Sequence, residues 1–380
     1  MARLATQPLK VAIIGAGLGG LTAAIALRRA GHEVVIYEQA PVLGDVGAGI
    51  TITPNAWKGL ASLGLADRLT AQADEVPQQA ILAHDSGAPI LEIPRGRVTR
   101  ETYGAPYVML HRADLHALLA DAAGRGVIRL DSAIADVDAI DADAVIAADG
   151  LKSVVRSTVF GNPPARFTGH VAWRGLVPAE ALLPEAATPG STVWAGPGRI
   201  FVRYPVRRGA LINLVGLTRT DAWVAEGWSN RVVMTDWLTE FDGWHHDVTS
   251  AIAATSDDSR IAWGLFARDP LPTIVSGRVA LLGDAAHPML PFMGQGAAMA
   301  IEDGVIIGRA FAEAATVTEA FARYEAVRKP RTDFIQRQSA LGADRLQFEV
   351  ARTGLPPAET EDSLGIFHYD PSTAPLEEAA

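Results

Sequence analysis

The sequence of 380 residues contains no cysteine. Disulfides, thiolate metal sites, iron–sulfur clusters and cofactors linked through a cysteine sulfur are therefore excluded. There is no run of Lys and Arg, and the formal net charge is −10. The chain would therefore repel a polyanion, and nucleic acid is not an expected partner.

Long apolar runs are also absent. No stretch of about 20 apolar residues runs without charge or glycine, so a membrane-spanning helix is not expected. No targeting signal is visible at the N-terminus, and we expect a cytoplasmic protein. The adjacent pair His245-His246 has no acidic partner at ligand spacing, so no metal site is expected.

Near the N-terminus, the apolar pattern predicts one strand–turn–helix–strand unit. The strands fall at residues 10–14 and 33–37, the glycine turn at 15–20 and the helix at 21–30. Such a unit is parallel and right-handed, so the turn lies at the carboxyl end of the first strand. The pattern indicates an α/β fold.

The turn reads Gly15-Ala16-Gly17-Leu18-Gly19-Gly20. Its glycines permit a tight turn and close approach of the backbone to a pyrophosphate, while the helix N-terminus favours the anion. Glu38, 18 residues after Gly20, is placed to accept hydrogen bonds from an adenosine ribose. The candidate dinucleotide-binding residues are therefore Gly15, Gly17, Leu18, Gly20 and Glu38.

A second strand–turn–helix unit occupies residues 277–304. Its strand ends at Gly283-Asp284, and the Asp284 carboxylate suits a flavin ribitol or a phosphate-side hydroxyl. Gly294 and Gly296 precede the helix and would let the backbone approach a ring face, because they carry no Cβ. This segment favours FAD over NAD as the bound cofactor.

A third strand, predicted over residues 144–148, ends at Asp149-Gly150, and the basic Arg156 follows seven residues after Asp149. Together, the three motifs resemble those of the single-component FAD-dependent aromatic hydroxylases. That group contains salicylate hydroxylase, 3-hydroxybenzoate 6-hydroxylase and 6-hydroxynicotinate 3-monooxygenase. The resemblance covers residues 10–331, most of the chain.

The resemblance implies a fold and a division of the chain. We expect a Rossmann-like FAD-binding domain of the glutathione-reductase type, an inserted mixed-sheet substrate domain and C-terminal helices. Alternating strands after residue 166, and six of the eight tryptophans between positions 173 and 244, fit an inserted sheet domain. The expected FAD-binding domain comprises 1–75, 100–165 and 275–350, the substrate domain 76–99 and 166–274, and an extended or frayed tail 351–380.

The resemblance also assigns roles to cofactor residues. The glycine turn and Glu38 would hold ADP-ribose, Asp149 and Gly150 would serve both FAD and the nicotinamide donor, and Gly283 and Asp284 would hold the riboflavin half. Arg112 matches the arginine that the family places near the pyrophosphate, and Gly49 is a further cofactor candidate. FAD would be bound non-covalently.

The implied reaction is hydroxylation of a phenolic or hydroxypyridine-type aromatic acid with NADH or NADPH and O2, through a flavin C4a-hydroperoxide. The candidate catalytic residues are Tyr204, His287, Thr51, Arg174 and Pro291. Tyr204 matches a tyrosine that many relatives point at the substrate, although a packed sheet tyrosine is the alternative. His287 would orient the substrate or relay a proton. The alternative is a structural role at the start of a helix, with the imidazole hydrogen-bonded within the protein.

Further possibilities stay open. His170, Trp173 and Arg174 share a segment in which a cation would meet a substrate carboxylate or phenolate. Thr51 and Phe292 stand where the hydroxynicotinate enzyme carries histidines, which weakens a hydroxynicotinate substrate. The rivals are another FAD oxidoreductase of this architecture, such as an epoxidase or a reductase, and a non-catalytic flavin-binding module. A homodimer is possible.

Overall fold

The computed structural model describes residues 8–44, 48–161, 165–182, 190–222, 224 and 231–376. Their strands form three sheets. In chain order the strands are β1 (Lys10–Ile14), β2 (Glu33–Tyr37), β3 (Gly49–Ile52), β4 (Asp74–Glu75), β5 (Gln78–Ala83), β6 (Pro89–Pro94), β7 (Val108–His111), β8 (Ile128–Arg129), β9 (Ala144–Ala147), β10 (Arg166–Pro178), β11 (Ser191–Gly196), β12 (Arg199–Val206), β13 (Leu211–Arg219), β14 (Ile261–Ala267), β15 (Val275–Ser276) and β16 (Val279–Leu281).

The helices connect these strands and cover the sheets. In chain order the α-helices are α1 (Leu18–Arg29), α2 (Pro54–Ser62), α3 (Ala66–Gln72), α4 (Arg97–Tyr103), α5 (Arg112–Ala123), α6 (Met234–Glu240), α7 (His246–Ala253), α8 (Gly296–Glu313), α9 (Val317–Asp344) and α10 (Ala351–Thr353). None of the helices in the described ranges combines the length and the apolar character needed to cross a membrane.

The first sheet has the strand order β15-β16-β9-β1-β2-β8, and every pairing except that of β15 with β16 is parallel. Val11, Ala12 and Ile13 in β1 are almost fully buried. Continuous burial of this kind arises because helices cover both faces of a parallel sheet. The ends of β1, β9 and β16 lie side by side, which brings the three sequence motifs to one edge. The predicted α/β fold is confirmed.

Helix α1 begins at Leu18, three residues earlier than the sequence pattern predicts. Its first turn includes Gly19 and Gly20, residues that favour a loop when the sequence is considered alone. A Cβ at Gly20 would lie 2.2 Å from the Gly15 carbonyl oxygen. Glycine is therefore required where the helix packs tightly against the turn that precedes it.

The second sheet has seven strands in the order β14-β10-β13-β12-β11-β5-β6. All neighbours are antiparallel except β11 and β5, which are parallel. Residues 78–94 thus share a sheet with residues 166–267. One face is covered by α6 and α7 through an aromatic core that includes Trp194, Trp237 and Phe241. The other face is turned toward the FAD-motif residues.

The third sheet is small and joins these two parts. Its order is β3-β7-β4. The Gly49 amide of β3 donates a hydrogen bond of 2.7 Å to the Asn213 side-chain oxygen on β13. A buried polar bond therefore connects this sheet directly to the seven-stranded sheet.

The chain after position 355 differs from the sequence prediction. Ile366 and Phe367 are fully buried in the main core, and Arg309 donates hydrogen bonds to the carbonyls of Pro371 and Ala374. A frayed tail is therefore wrong for residues 360–376, because proline and acidic residues there alternate with apolar side chains that find a core. Residues 377–380, with Glu377 and Glu378, lie outside the described residues.

Candidate active site

A cavity of about 520 Å³ is lined by residues of the second and third sheets and by the turns that follow strands of the first sheet. It brings together most of the residues that the sequence motifs indicate. The predicted residues that line it are Gly17, Leu18, Gly20, Gly49, Thr51, Arg112, Gly150, Arg174, Tyr204, Gly283, Asp284, Pro291, Gly294 and Gly296. The predicted residues Gly15, Glu38, Asp149 and His287 do not line it.

The glycine turn contains two kinds of glycine. Gly15 has φ of +99°, and a Cβ there would lie 2.4 Å from the Ala148 carbonyl oxygen at the end of β9. Gly17, in contrast, has open space at the position of a Cβ and faces the cavity at the start of α1. Gly15 therefore serves close packing, and Gly17 presents backbone to the cavity at a helix N-terminus, where an anion would be favoured.

Glu38 lies beside this turn. Its carboxylate accepts hydrogen bonds of 2.8 Å from the amides of Ala16 and Ala40. The side chain thus fixes the glycine turn to the end of β2. Its contact with a ribose stays a prediction.

The Asp149 carboxylate accepts hydrogen bonds from the Ser153 hydroxyl at 2.6 Å and the Val154 amide at 2.9 Å. This is the pattern of a helix cap. The neighbouring Gly150 has φ of +76° and lines the cavity. In the structure, Asp149 shapes the turn, while Gly150 is the member of the pair that reaches the cavity.

Arg156 is a buried residue that joins two strand ends. It donates hydrogen bonds to the carbonyl oxygens of Leu151 at 2.6 Å and of Asp284 and Ala285 at 3.0 Å. The sequence motif contained this residue, but gave it no role. The signal was its position as a basic residue seven residues after the strand-end aspartate.

The Asp284 side chain is open to the cavity and enclosed by protein on its other sides. Burial raises the pKa of this carboxyl group, and the charges of His287, Arg112 and Arg156 oppose the rise. A carboxylate held among cations at a strand end is suited to accept hydrogen bonds from ligand hydroxyls.

His287 is buried behind the cavity wall. Its Nε2 lies 2.6 Å from Asp303 Oδ2, which also accepts a hydrogen bond of 2.9 Å from the Gly283 amide. Asp303 Oδ1 accepts a hydrogen bond of 2.6 Å from Arg328. Although burial raises the pKa of Asp303, the charges of His287 and Arg328 lower it to about 2. This network fixes the turn that carries Asp284, and the structure does not bring His287 into the cavity.

A second carboxylate extends the network. Glu302 accepts hydrogen bonds from Asn55 at 2.7 Å, from Arg328 at 2.6 Å and from Arg331 at 2.7 Å. The guanidinium of Arg331 lies 3.8 Å from the ring centroid of Tyr369 in the C-terminal residues. Sequence reasoning missed this cluster, because its members lie on α2, α8, α9 and the chain end.

Tyr204 lies where β12 meets the third sheet. A Cβ at Gly49 would lie 2.4 Å from Tyr204 Cε2, so only glycine leaves room for this ring. Burial raises the pKa of Tyr204, while the nearby positive charge of Arg174 lowers it. The phenol therefore stays protonated at neutral pH and faces the cavity.

Tyr107 is a second cavity tyrosine, and no sequence motif indicated it. The Arg95 guanidinium lies 4.5 Å from its ring centroid. Burial raises the pKa of Tyr107, and Arg95 and a hydrogen bond with Thr51 oppose the rise. Thr51 is thereby held between this tyrosine and Met109, 3.1 Å from the sulfur.

Of the three candidates on β10, Arg174 alone lines the cavity. Its guanidinium lies 5.5 Å from the ring centroid of Trp263. Trp173 points to the opposite face and donates a hydrogen bond to Thr218, as the strand alternation requires. His170 is buried against Gln347, with 3.1 Å between Nε2 and Oε1. The described residues contain no group of three His, Asp or Glu side chains placed to hold a metal ion.

The chain is similar to known proteins over most of its length. A family model described as an FAD binding domain matches residues 8–339. The 3-amino-4-hydroxybenzoate 2-monooxygenase PtnB3 of Streptomyces platensis is 36% identical over 354 residues, covering 89% of each chain. The 3-hydroxybenzoate 6-hydroxylase 1 of Aquipseudomonas alcaligenes is 36% identical over 352 residues, covering 88% of each chain.

A solved structure agrees with these relatives. Klebsiella pneumoniae HpxO, complexed with FAD and uric acid, matches with a TM-score of 0.85 at 27% identity, over 96% of each chain. The resemblance predicted from the three motifs is confirmed, as is FAD as the cofactor. The chain belongs to the FAD-binding family of flavoprotein monooxygenases that contains these aromatic hydroxylases.

Proposed function

We propose that this enzyme hydroxylates a phenolic or hydroxypyridine-type aromatic acid in the cavity, using NADH or NADPH and O2. The observation that carries the proposal is that Arg174 and Tyr204 line the same cavity as Asp284 and the glycine turn. In the overall balance, the reduced nicotinamide, a proton, O2 and the aromatic C–H give the oxidised nicotinamide, water and the phenolic product.

The residues present fit FAD. Gly17 and Leu18 at the start of α1 offer backbone amides to a pyrophosphate, Arg112 supplies a positive charge, and Asp284 accepts from hydroxyls. Gly294 has open space where a Cβ would stand, which leaves room for a ring close to the backbone. When bound, FAD supplies the electron transfer from the nicotinamide and the activation of O2.

Arg174 and Tyr204 would hold the substrate. The half-buried Arg174 guanidinium would stabilise a carboxylate or a phenolate, and the protonated Tyr204 hydroxyl would donate a hydrogen bond to a phenolate oxygen. Thr51 and Pro291 would form the cavity walls beside the aromatic ring of the substrate. His287 would act through Asp303 and Gly283, as a positioning residue for the turn of Asp284.

One experiment separates this proposal from its rivals. Holoenzyme is mixed anaerobically with NADH or NADPH and a panel of hydroxybenzoates and hydroxypyridines, the rate of flavin bleaching is recorded, and air is then admitted. Hydroxylated product supports the proposal. An epoxide formed from an added alkene would support an epoxidase. A reduced product without added oxygen would support a reductase, and the absence of turnover would support a non-catalytic flavin-binding module.

Two further expectations stay predictions. The possible homodimer would be seen by sedimentation velocity, as a mass near twice that of the chain. The cytoplasmic location would be tested by fractionation of cells that express the full-length chain.

A further inference from the structure

The face of the seven-stranded sheet that lines the cavity carries one continuous cross-strand row. The strand register places its members side by side on six neighbouring strands. We call it the aliphatic row, and from β10 to β6 it consists of Arg174, Val215, Val202, Val193, Ile81 and Leu91. All six residues line the cavity.

This row is longer than a single aromatic ring. Its members span five strand spacings of about 4.8 Å, so the row is about 24 Å long. A hydroxybenzoate held at Arg174 would cover roughly 10 Å, about two of these spacings. Most of the row would then lie beyond a ligand of that size, with Val193 and Ile81 buried at the cavity wall and the other members half-buried.

The row is charged only at its first position. After Arg174, the next five side chains are aliphatic, and Val215, Val202 and Leu91 are half-buried at the cavity surface. The adjacent positions Leu217 and Ile200 continue the apolar floor, and Leu290, Phe292 and Leu346 face it within the same apolar cluster. An apolar slot that begins at an arginine suits a ligand with one polar end.

We propose that the substrate is an aromatic acid or phenol that carries an apolar extension of several carbons, an alkyl chain or a further ring. The polar ring would lie at Arg174 and Tyr204, and the extension would lie along the aliphatic row toward Leu91. This inference rests on the proposed function, since it names the class of substrate for the same site.

The test is a series of hydroxybenzoates with para alkyl chains of increasing length. Binding to the holoenzyme is followed by the change in flavin absorbance, which needs no turnover. We expect the Kd to fall about fourfold for each added methylene until the row is covered. A Kd that stays constant or rises with chain length would overturn the proposal.

Two matched variants test whether the dependence of Kd on chain length arises at the aliphatic row. Val193→Phe fills the middle of the slot, and we expect it to flatten the dependence of Kd on chain length. Val233→Phe makes the same replacement at an exposed position outside the cavity, and we expect the wild-type dependence. The same dependence in Val193→Phe as in wild type would contradict the placement.

The outcomes distinguish this inference from the proposed function. Length-dependent binding without oxygen insertion would uphold the slot and overturn the hydroxylase assignment of this chain. Oxygen insertion into short compounds without any length dependence would uphold the hydroxylase and overturn the slot.

Discussion

Asp303 is a buried residue at which the structure predicts a large effect of a single uncharged replacement. Its carboxylate accepts hydrogen bonds from the Gly283 amide, His287 and Arg328, and all three contacts are buried. Asp303→Asn keeps the size of the side chain but leaves the Arg328 guanidinium beside a neutral amide, with Glu302 still paired to it. Removing one partner of a buried ion pair costs about 3–5 kcal/mol, and the remaining pair with Glu302 places the expected loss at the lower end of this range.

The pH dependence of the free energy of unfolding provides a second test of Asp303. The pKa of Asp303 falls from the ordinary 3.8 to about 2 in the folded chain. A lowered carboxyl pKa adds stability above pH 3.8 that is lost as the pH falls toward 2, and the difference corresponds to about 2 kcal/mol. Asparagine does not titrate, so the stability gap between wild type and variant should narrow across this window.

Urea unfolding of the apoprotein, followed by tryptophan fluorescence, measures both effects. Asp269→Asn is the matched control, because Asp269 pairs with Arg166 at the surface, where both side chains are about 70% exposed. That pair should contribute less than about 1 kcal/mol. If Asp303→Asn costs no more than the control, the buried network does not hold the Asp284 turn as described.

Three other replacements test the site. Tyr204→Phe should lower the yield of hydroxylated product per NAD(P)H consumed and raise the yield of hydrogen peroxide, while the Kd for FAD stays unchanged. An oxygen electrode with and without catalase measures the peroxide. One hydroxylated product per NAD(P)H in the variant would refute a substrate contact of Tyr204. Arg156→Met removes the hydrogen bonds to Leu151, Asp284 and Ala285. Its Kd for FAD should rise at least about tenfold by fluorescence titration, since a charged hydrogen bond contributes about 1.5–3 kcal/mol; wild-type affinity would contradict the role. Gly49→Ala forces a contact with Tyr204 and should cost about 1–3 kcal/mol in urea unfolding; an equally stable variant would refute the packing.

The sequence predicted those parts of the fold that rest on local patterns. Apolar strands followed by glycine turns gave the ends of β1, β9 and β16, because a parallel strand, its turn and its helix are contiguous in the chain. The same patterns identified Gly17, Gly150 and Asp284, which line the cavity. Such residues can be recognised from the residues next to them in the sequence.

What the sequence could not predict depends on partners distant along the chain. Tyr107 lines the cavity, and its neighbours there are Arg95 and Thr51, which lie 12 and 56 positions away in the chain. The aliphatic row takes its apolar members from β5, β6, β11, β12 and β13, and a single valine, isoleucine or leucine in each strand carries no motif. The buried Ile366 and Phe367 were likewise hidden by the proline and acidic residues around them.

The most direct test of the central claim uses isotopically labelled oxygen. Holoenzyme, NAD(P)H and ¹⁸O2 are incubated with the aromatic acid that most accelerates flavin reduction, and the product is analysed by mass spectrometry. We expect the product to gain one oxygen atom and this atom to be ¹⁸O. Consumption of NAD(P)H with peroxide alone, or a product whose new oxygen comes from water, would contradict it.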